Sequence, residues 1–196
     1  VPAIRGAGHS EEILKNLSEN GKLIGIDRDE EALKAASKRL EKYKNVSYVH
    51  GNHDDIRQIL DELNIDKVDG ILFDLGVSSP QLDDASRGFS FHKDAPLDMR
   101  MDKRQELDAY KVVNTYPLEK LIDILYIYGE EVNAKSIAKG IISNRPINTT
   151  LELADVIKEN VPISYRKKSN PCRKTFQAIR IEVNCELEPL KQTVKD

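Results

Sequence analysis

The stretch Gly6-Ala7-Gly8-His9 joins a short apolar stub to a helical pattern. Glycines at such a junction let the backbone approach a ligand, and the helix start presents its free N–H groups. Asp27 closes an apolar run about twenty residues on, where nucleotide-binding α/β folds place an acid for the ribose hydroxyls. The alternative is that Asp27, with Asp29, only caps the following helix. Asp74 closes another apolar run and leads into Leu75-Gly76-Val77-Ser78-Ser79. An acid with Ser78 and Ser79 at the carboxyl end of a strand can hold a cofactor amine or a substrate amine. A turn closed by Asp74 and the serines is the competing reading.

Two further segments carry chemistry of a different kind. Ser86-Arg87-Gly88-Phe89-Ser90-Phe91 is followed by Pro96-Leu97-Asp98-Met99-Arg100-Met101-Asp102, with no helical period. Phe89 and Phe91 can stack on a base and Arg100 can bind phosphate; an ordered loop pinned by salt bridges accounts for the same residues. Residues 163–181 contain no acid, while Arg166, Lys167, Lys168, Arg173, Lys174 and Arg180 are all basic. In a chain of net charge −3 this bias is a candidate phosphate-binding face, set against a merely solvated one. His50, His53 and His92 lack metal-ligand spacing, as do Cys172 and Cys185.

Elements must hold these residues in place. Strand signals fall at 1–4, 22–26, 46–49 and 68–75, the last nearly all apolar, as for a strand buried on both faces. Helical signals lie between them: Ile13, Leu14 and Leu17, with Ser10 as cap; Ala32, Leu33, Ala36 and Leu40; Ile56, Ile59, Leu60 and Leu63. Strands separated by helices imply parallel βαβ units and an open α/β sheet. After a polar stretch over 76–105 the pattern turns helical. Leu118, Leu121, Ile122 and Leu125 form one stripe, and Ala134, Ile137, Ala138, Ile141 and Ile142 another. Thr149 and Glu152 read as a capping box, and Phe176, Ile179, Val183, Leu187 and Leu190 line a last helix. The expected division is an α/β core over 1–105, a helical insertion over 106–170 and a helix returning to the core over 171–196. An open sheet of this type has more than four strands, so the sequence is expected to be a piece of a longer protein.

The chain has 196 residues, 39% hydrophobic and 32% charged, which excludes a generally disordered protein. No apolar run approaches the roughly 18 residues of a membrane span. Two cysteines are too few for a disulfide framework, and a reducing, cytoplasmic setting is the expectation. The near-balance of charge argues against nucleic-acid binding through the whole surface.

The residues 74–84, Arg87-Gly88-Phe89-Ser90-Phe91 and 96–102 together closely resemble the bacterial ribosomal RNA small subunit methyltransferase H family. Tyr128-Gly129-Glu130-Glu131 and the stretch 175–184 are similar to it as well. The resemblance runs from about Gly8 to the end. It implies a class I, Rossmann-like methyltransferase sheet with an inserted helical domain. It also implies S-adenosylmethionine as cofactor, the exocyclic N4 of a cytosine in 16S rRNA as target, and 16S rRNA or the small ribosomal subunit as partner. Carried across residue by residue, the family's cofactor positions fall on Ala7, Gly8, His9, Asp27, His53, Asp74 and Gln81. The sequence departs from the pattern in its first loop, which lacks an acid, a Thr and one glycine. It departs again at His53, where the family has Phe, and at Val132 and Asn133, which replace Arg and an aromatic residue. An RNA-binding module of the same fold with weak or no cofactor affinity is the alternative. A nicotinamide-dependent oxidoreductase is disfavoured, because Gly6-Ala7-Gly8 lacks the full dinucleotide spacing.

Overall fold

The computed structural model describes residues 7–52, 55–74, 76, 77, 79–168 and 170–186, without the side chains of Ser79, Pro80 and Lys168. The chain splits into two compact units, Val1–Ser79 with Glu186–Asp196, and Pro80–Cys185.

In the first unit α1 (Gly8–Asn16), β1 (Leu23–Asp27), α2 (Glu30–Arg39), β2 (Val46–His50) and α3 (Ile56–Glu62) alternate along the chain. The strands run parallel, with Leu23 opposite Val46 and Asp27 opposite His50. Side chains of a strand point alternately to its two faces. Leu23 accordingly packs with Leu14, Leu33, Ala36 and Leu40, and Ile26 packs on the other side with Ile56, Ile59 and Leu60. Each such leucine or isoleucine stabilises the fold by about 1.5–3 kcal/mol when fully buried. The start of α2 is fixed by Asp29, whose carboxylate accepts from Glu31 N at 3.0 Å. Glu30 and Glu31 then sit at the positive end of the helix and Lys38 and Arg39 at the negative end.

Two local expectations are corrected here. Ser10 does not cap α1: it lies buried inside the helix, and Ala7 takes the N-cap position. The strand expected over 68–75 does not form at its described residues 68–74. Val68, Ile71 and Leu72 are instead 38%, 45% and 40% exposed. A strand gains its hydrogen bonds only from a neighbour. Among the described residues β1 pairs with β2 alone, and the stub expected as the first strand lies outside them. The apolar run lines a cavity of about 600 Å³ together with Ile13, Leu17, Leu23 and Ile24.

The second unit is helical. α4 (Ser79–Asp83) and a 3-10 turn (Ala85–Arg87) precede α5 (Ala109–Thr115), α6 (Leu118–Ile127), α7 (Ala134–Ser143), α8 (Thr150–Glu159), α9 (Ile163–Lys168) and α10 (Cys172–Asn184). Of the stripes read from the sequence, Leu121, Leu125, Ile137, Ile141 and Ile179 are fully buried and Ile142 is exposed; Leu153 and Ile157 of α8, not read as a stripe, complete the core. The capping box is present, with Glu152 N donating to Thr149 Oγ1 at 3.3 Å and the Glu152 carboxylate accepting from Thr149 N at 3.3 Å. α10 packs on α5, α6 and α8; Leu187 and Leu190, expected on its stripe, lie outside the described residues. Leu97, Met99 and Met101 are buried. Residues 80–105 and 171–185 group with the helices in this unit. No described helix is long and apolar enough to cross a membrane.

Candidate functional site

In the first unit the first turn of α1 and the segment ending at Asp74 meet. His9 Nδ1 lies 3.6 Å from Asp74 Oδ2, with the His9 side chain 72% exposed. Asp27 stands at the carboxyl end of β1. Its Oδ1 accepts from Asp29 N at 2.9 Å, in the turn that leads into α2, while the cap itself is Asp29. Beside it the Arg28 guanidinium donates to Asn52 Oδ1. His50 Nε2 lies 3.1 Å from the Arg28 carbonyl, and Gly51 N donates to Asp27 O at 3.1 Å. These bonds tie the ends of the two strands into one rim, formed by residues 27–29 and 50–52. His53 and Ser78 lie outside the described residues, and Ser79 opens α4. Gln81 belongs to the second unit, where it is buried.

Ala7 has φ 54° and ψ 16°, the left-handed conformation that favours glycine. A non-glycine residue held in this region costs of the order of 1 kcal/mol. Ala7→Gly is expected to stabilise the protein by about 0.5–1 kcal/mol, less the extra chain entropy of glycine; a melting curve no higher than that of the parent would show that the position is unstrained.

In the second unit the aromatic and arginine residues do not form a base-stacking surface. Phe89 is 5% exposed and belongs to the core, with the Arg87 guanidinium 5.7 Å from its ring centre. Phe91 is half-buried and packs edge-on against Phe176 at 5.3 Å. Arg100 donates to both oxygens of Asp98 at 2.8 and 2.9 Å, and to the carbonyls of Lys103 and Gln105 at 3.2 and 3.0 Å. Its guanidinium is spent on the loop, so the pinned-loop reading describes this segment. Burial pushes the Asp98 carboxyl up, but the hydrogen bonds and charge of Arg100 outweigh it and hold the group below the usual carboxylate range.

The basic stretch divides. Lys174 Nζ donates to Glu130 O at 2.7 Å and Arg166 to Val161 O at 3.2 Å, both backbone tasks. Arg180 is half-buried, whereas Arg166, Lys167 and Arg173 are exposed, and the side chain of Lys168 is not described.

Three structural roles were not read from the sequence, although Glu131 and Asn184 stand in stretches that resemble the family. Asn184, 1% exposed, donates to Met99 O at 2.8 Å and accepts from Met101 N at 2.8 Å, so α10 holds the loop at 99–101. Glu131, fully buried, accepts from Asn133 N at 2.8 Å and from the Tyr165 hydroxyl at 2.9 Å. Burial and that bond push the Tyr165 phenol up to about 12. The signal for Asn184 was a polar residue one turn beyond Ile181 at the buried end of a stripe; Glu131 and Tyr165 had none, because their partnership spans 34 residues.

A sequence model of the MraW methylase family matches residues 3–196. A ribosomal RNA small subunit methyltransferase H of Clostridium botulinum (strain Kyoto / Type A2) is 56% identical over 97% of this chain and 63% of its own length. Those of strain 657 / Type Ba4 and strain Loch Maree / Type A3 are 56% and 55% identical over the same shares. The chain thus spans 63% of the length of these curated relatives. With the family model covering nearly every residue and identity above half, the chain belongs to the MraW methylase family.

Proposed function

We propose that this chain is part of an S-adenosylmethionine-dependent methyltransferase of the class I, Rossmann-like type. The proposed target is the exocyclic N4 of a cytosine in 16S rRNA. The observation that carries the reading is the approach of His9 to Asp74, which joins a helix start and an acid far apart in sequence at one site. The residues present fit the cofactor. Among the described residues nothing lies within 4 Å of where a Cβ on Gly8 would stand. Ser10 Oγ is buried and has no partner among the described residues. The N–H groups that open α1 suit the methionyl carboxylate, Asp74 its ammonium, and the Asp27 carboxylate the ribose hydroxyls. When bound, the cofactor supplies an electrophilic methyl on a sulfonium.

The chain's own work is positioning. A cytosine amine is a poor nucleophile, its lone pair being delocalised into the ring, so it must be held in line at near-attack distance. The base must also be unpaired or flipped out to be reached. Asp74, with Ser78 and Ser79, is the set from which a proton acceptor for the amine is drawn. An RNA-binding module with weak cofactor affinity is the second reading, favoured by the first loop, which lacks an acid, a Thr and one glycine of the family pattern. Calorimetry with S-adenosylmethionine separates the two, since only the first gives saturable heat. In the same titration Asp27→Asn is expected to weaken binding by about 1–2 kcal/mol. The amide keeps an acceptor for Asp29 N but loses the charge that receives the ribose. An unchanged dissociation constant removes Asp27 from the site.

A further inference from the structure

α9 is only six residues long. A helix that short is not stable by itself in water, where about 12–15 residues are needed. It must be held by the rest of the unit. Among the described residues its hydrogen bonds are local, with one exception. Tyr165 N and Arg166 N donate to Pro162 O at 3.0 and 3.2 Å. The Arg166 guanidinium donates to Val161 O at 3.3 and 3.2 Å. The exception is the Tyr165 hydroxyl, which donates to Glu131 Oε2 at 2.9 Å in the turn between α6 and α7.

That turn is itself fixed. Glu131 Oε1 accepts from Asn133 N at 2.8 Å and Asn133 Nδ2 at 3.1 Å, so both carboxylate oxygens are engaged. Lys174 Nζ and Gln177 Nε2 of α10 donate to the carbonyls of Glu130 and Tyr128 at 2.7 and 3.3 Å. A Cβ on Gly129 would stand 2.7 Å from both Leu125 O and Lys174 O, so the turn lies directly against α10. Through Tyr165, α9 takes its place from the same turn that α10 clamps. Exposed Arg166 and Lys167 on α9 and exposed Arg173 on α10 are thereby set in one frame. Lys167 and Arg173 have no ion-pair partner among the described residues.

We propose that the Glu131–Tyr165 hydrogen bond is the positioning element of an RNA phosphate-binding surface made by Arg166, Lys167 and Arg173. The proposal rests on the reading of the chain as RNA-binding. A cation on a helix already in place does not have to be ordered at the moment of binding. The bond contributes through Arg166 and Lys167, and Tyr165 itself need not touch the RNA.

The test measures binding of labelled, unmodified 16S rRNA over a salt series, with circular dichroism to confirm that each variant keeps its helices. Arg166→Ala with Lys167→Ala is expected to flatten the plot of log affinity against log salt by about 0.7–0.9 for each phosphate that is no longer neutralised. Tyr165→Phe keeps the ring and removes only the hydroxyl. It is expected to weaken binding about three- to tenfold, the equivalent of one hydrogen bond, and to flatten the slope in the same direction. In the Arg166→Ala, Lys167→Ala background Tyr165→Phe is expected to change nothing further, because the cations it positions are gone. If Tyr165→Phe binds as the parent while the double variant flattens the slope, the positioning role is overturned and the RNA reading stands. An equal loss from Tyr165→Phe in both backgrounds also overturns it. If the double variant leaves the slope unchanged, these cations neutralise no phosphate, and the surface itself is refuted.

Discussion

Gly88→Ala is expected to destabilise the helical unit by more than about 3 kcal/mol, at the extreme of single substitutions. Gly88 has φ 70°, a conformation alanine adopts only under strain. The larger part of the effect is steric. A Cβ there would overlap the Pro96 carbonyl oxygen and stand 2.9 Å from Asp98 N. Both neighbours are backbone, so no side-chain rotation relieves the clash. The segment that must give way holds Met99, whose N–H donates to Arg87 O at 3.0 Å, and Leu97, 2% exposed. Displacing it opens the core and breaks the Asp98–Arg100 pair together. Thermal unfolding followed by circular dichroism measures the loss. Gly70→Ala is the control, since nothing lies within 4 Å of a Cβ at that position, and its expected change is within about 0.5 kcal/mol. A Gly88→Ala protein melting within a degree or two of the parent would mean that the loop is not packed as described.

What could be read in the sequence was whatever is decided within a few residues of itself. The Thr149–Glu152 box spans one helical turn, and its hydrogen bonds form between neighbours. The stripes of α6, α7 and α10 are legible because burial repeats with the helical period. The run 68–74 shows the limit. Its apolar composition indicates a strand, but a strand exists only where a partner pairs with it, and no local pattern carries that information. Phe89 and Arg100 fail for the same reason. An aromatic and an arginine in an irregular segment suit RNA and suit a folded loop equally, and only the burial of Phe89 and the bonds from Arg100 to Asp98 decide. Lys174 counted toward a basic face by charge alone, yet its ammonium serves the Glu130 carbonyl. Arg166, Lys167 and Arg173 remain exposed, so the face proposed for RNA is narrower than its charge suggested. At the cofactor site, family resemblance indicated His9 and Asp74 one by one. Their approach across 65 positions of sequence is a tertiary fact.

Asp74→Asn is expected to raise the apparent cofactor constant about ten- to hundredfold, the loss of about 1.5–3 kcal/mol for a hydrogen bond to a charged partner. Turnover at saturating cofactor is expected to stay nearly intact. The reasoning turns on what the carboxylate faces. Its Oδ2 lies 3.6 Å from His9 Nδ1 in the first turn of α1, so the group stands beside the helix start proposed for the methionyl end of the cofactor. The cofactor ammonium is a cation, whereas the cytosine amine is neutral until the methyl transfers. An interaction made equally before and during methyl transfer changes binding without changing the rate constant of the bound state. If Asp74 instead accepted the proton of the amine, the interaction would grow only in the transition state. The rate would then fall at saturation as well. Calorimetry gives the first quantity and initial rates at saturating S-adenosylmethionine give the second. A variant with parental cofactor affinity and a turnover reduced by two orders of magnitude would reverse the assignment. Asp74 would then be the proton acceptor, leaving the methionyl ammonium to another group.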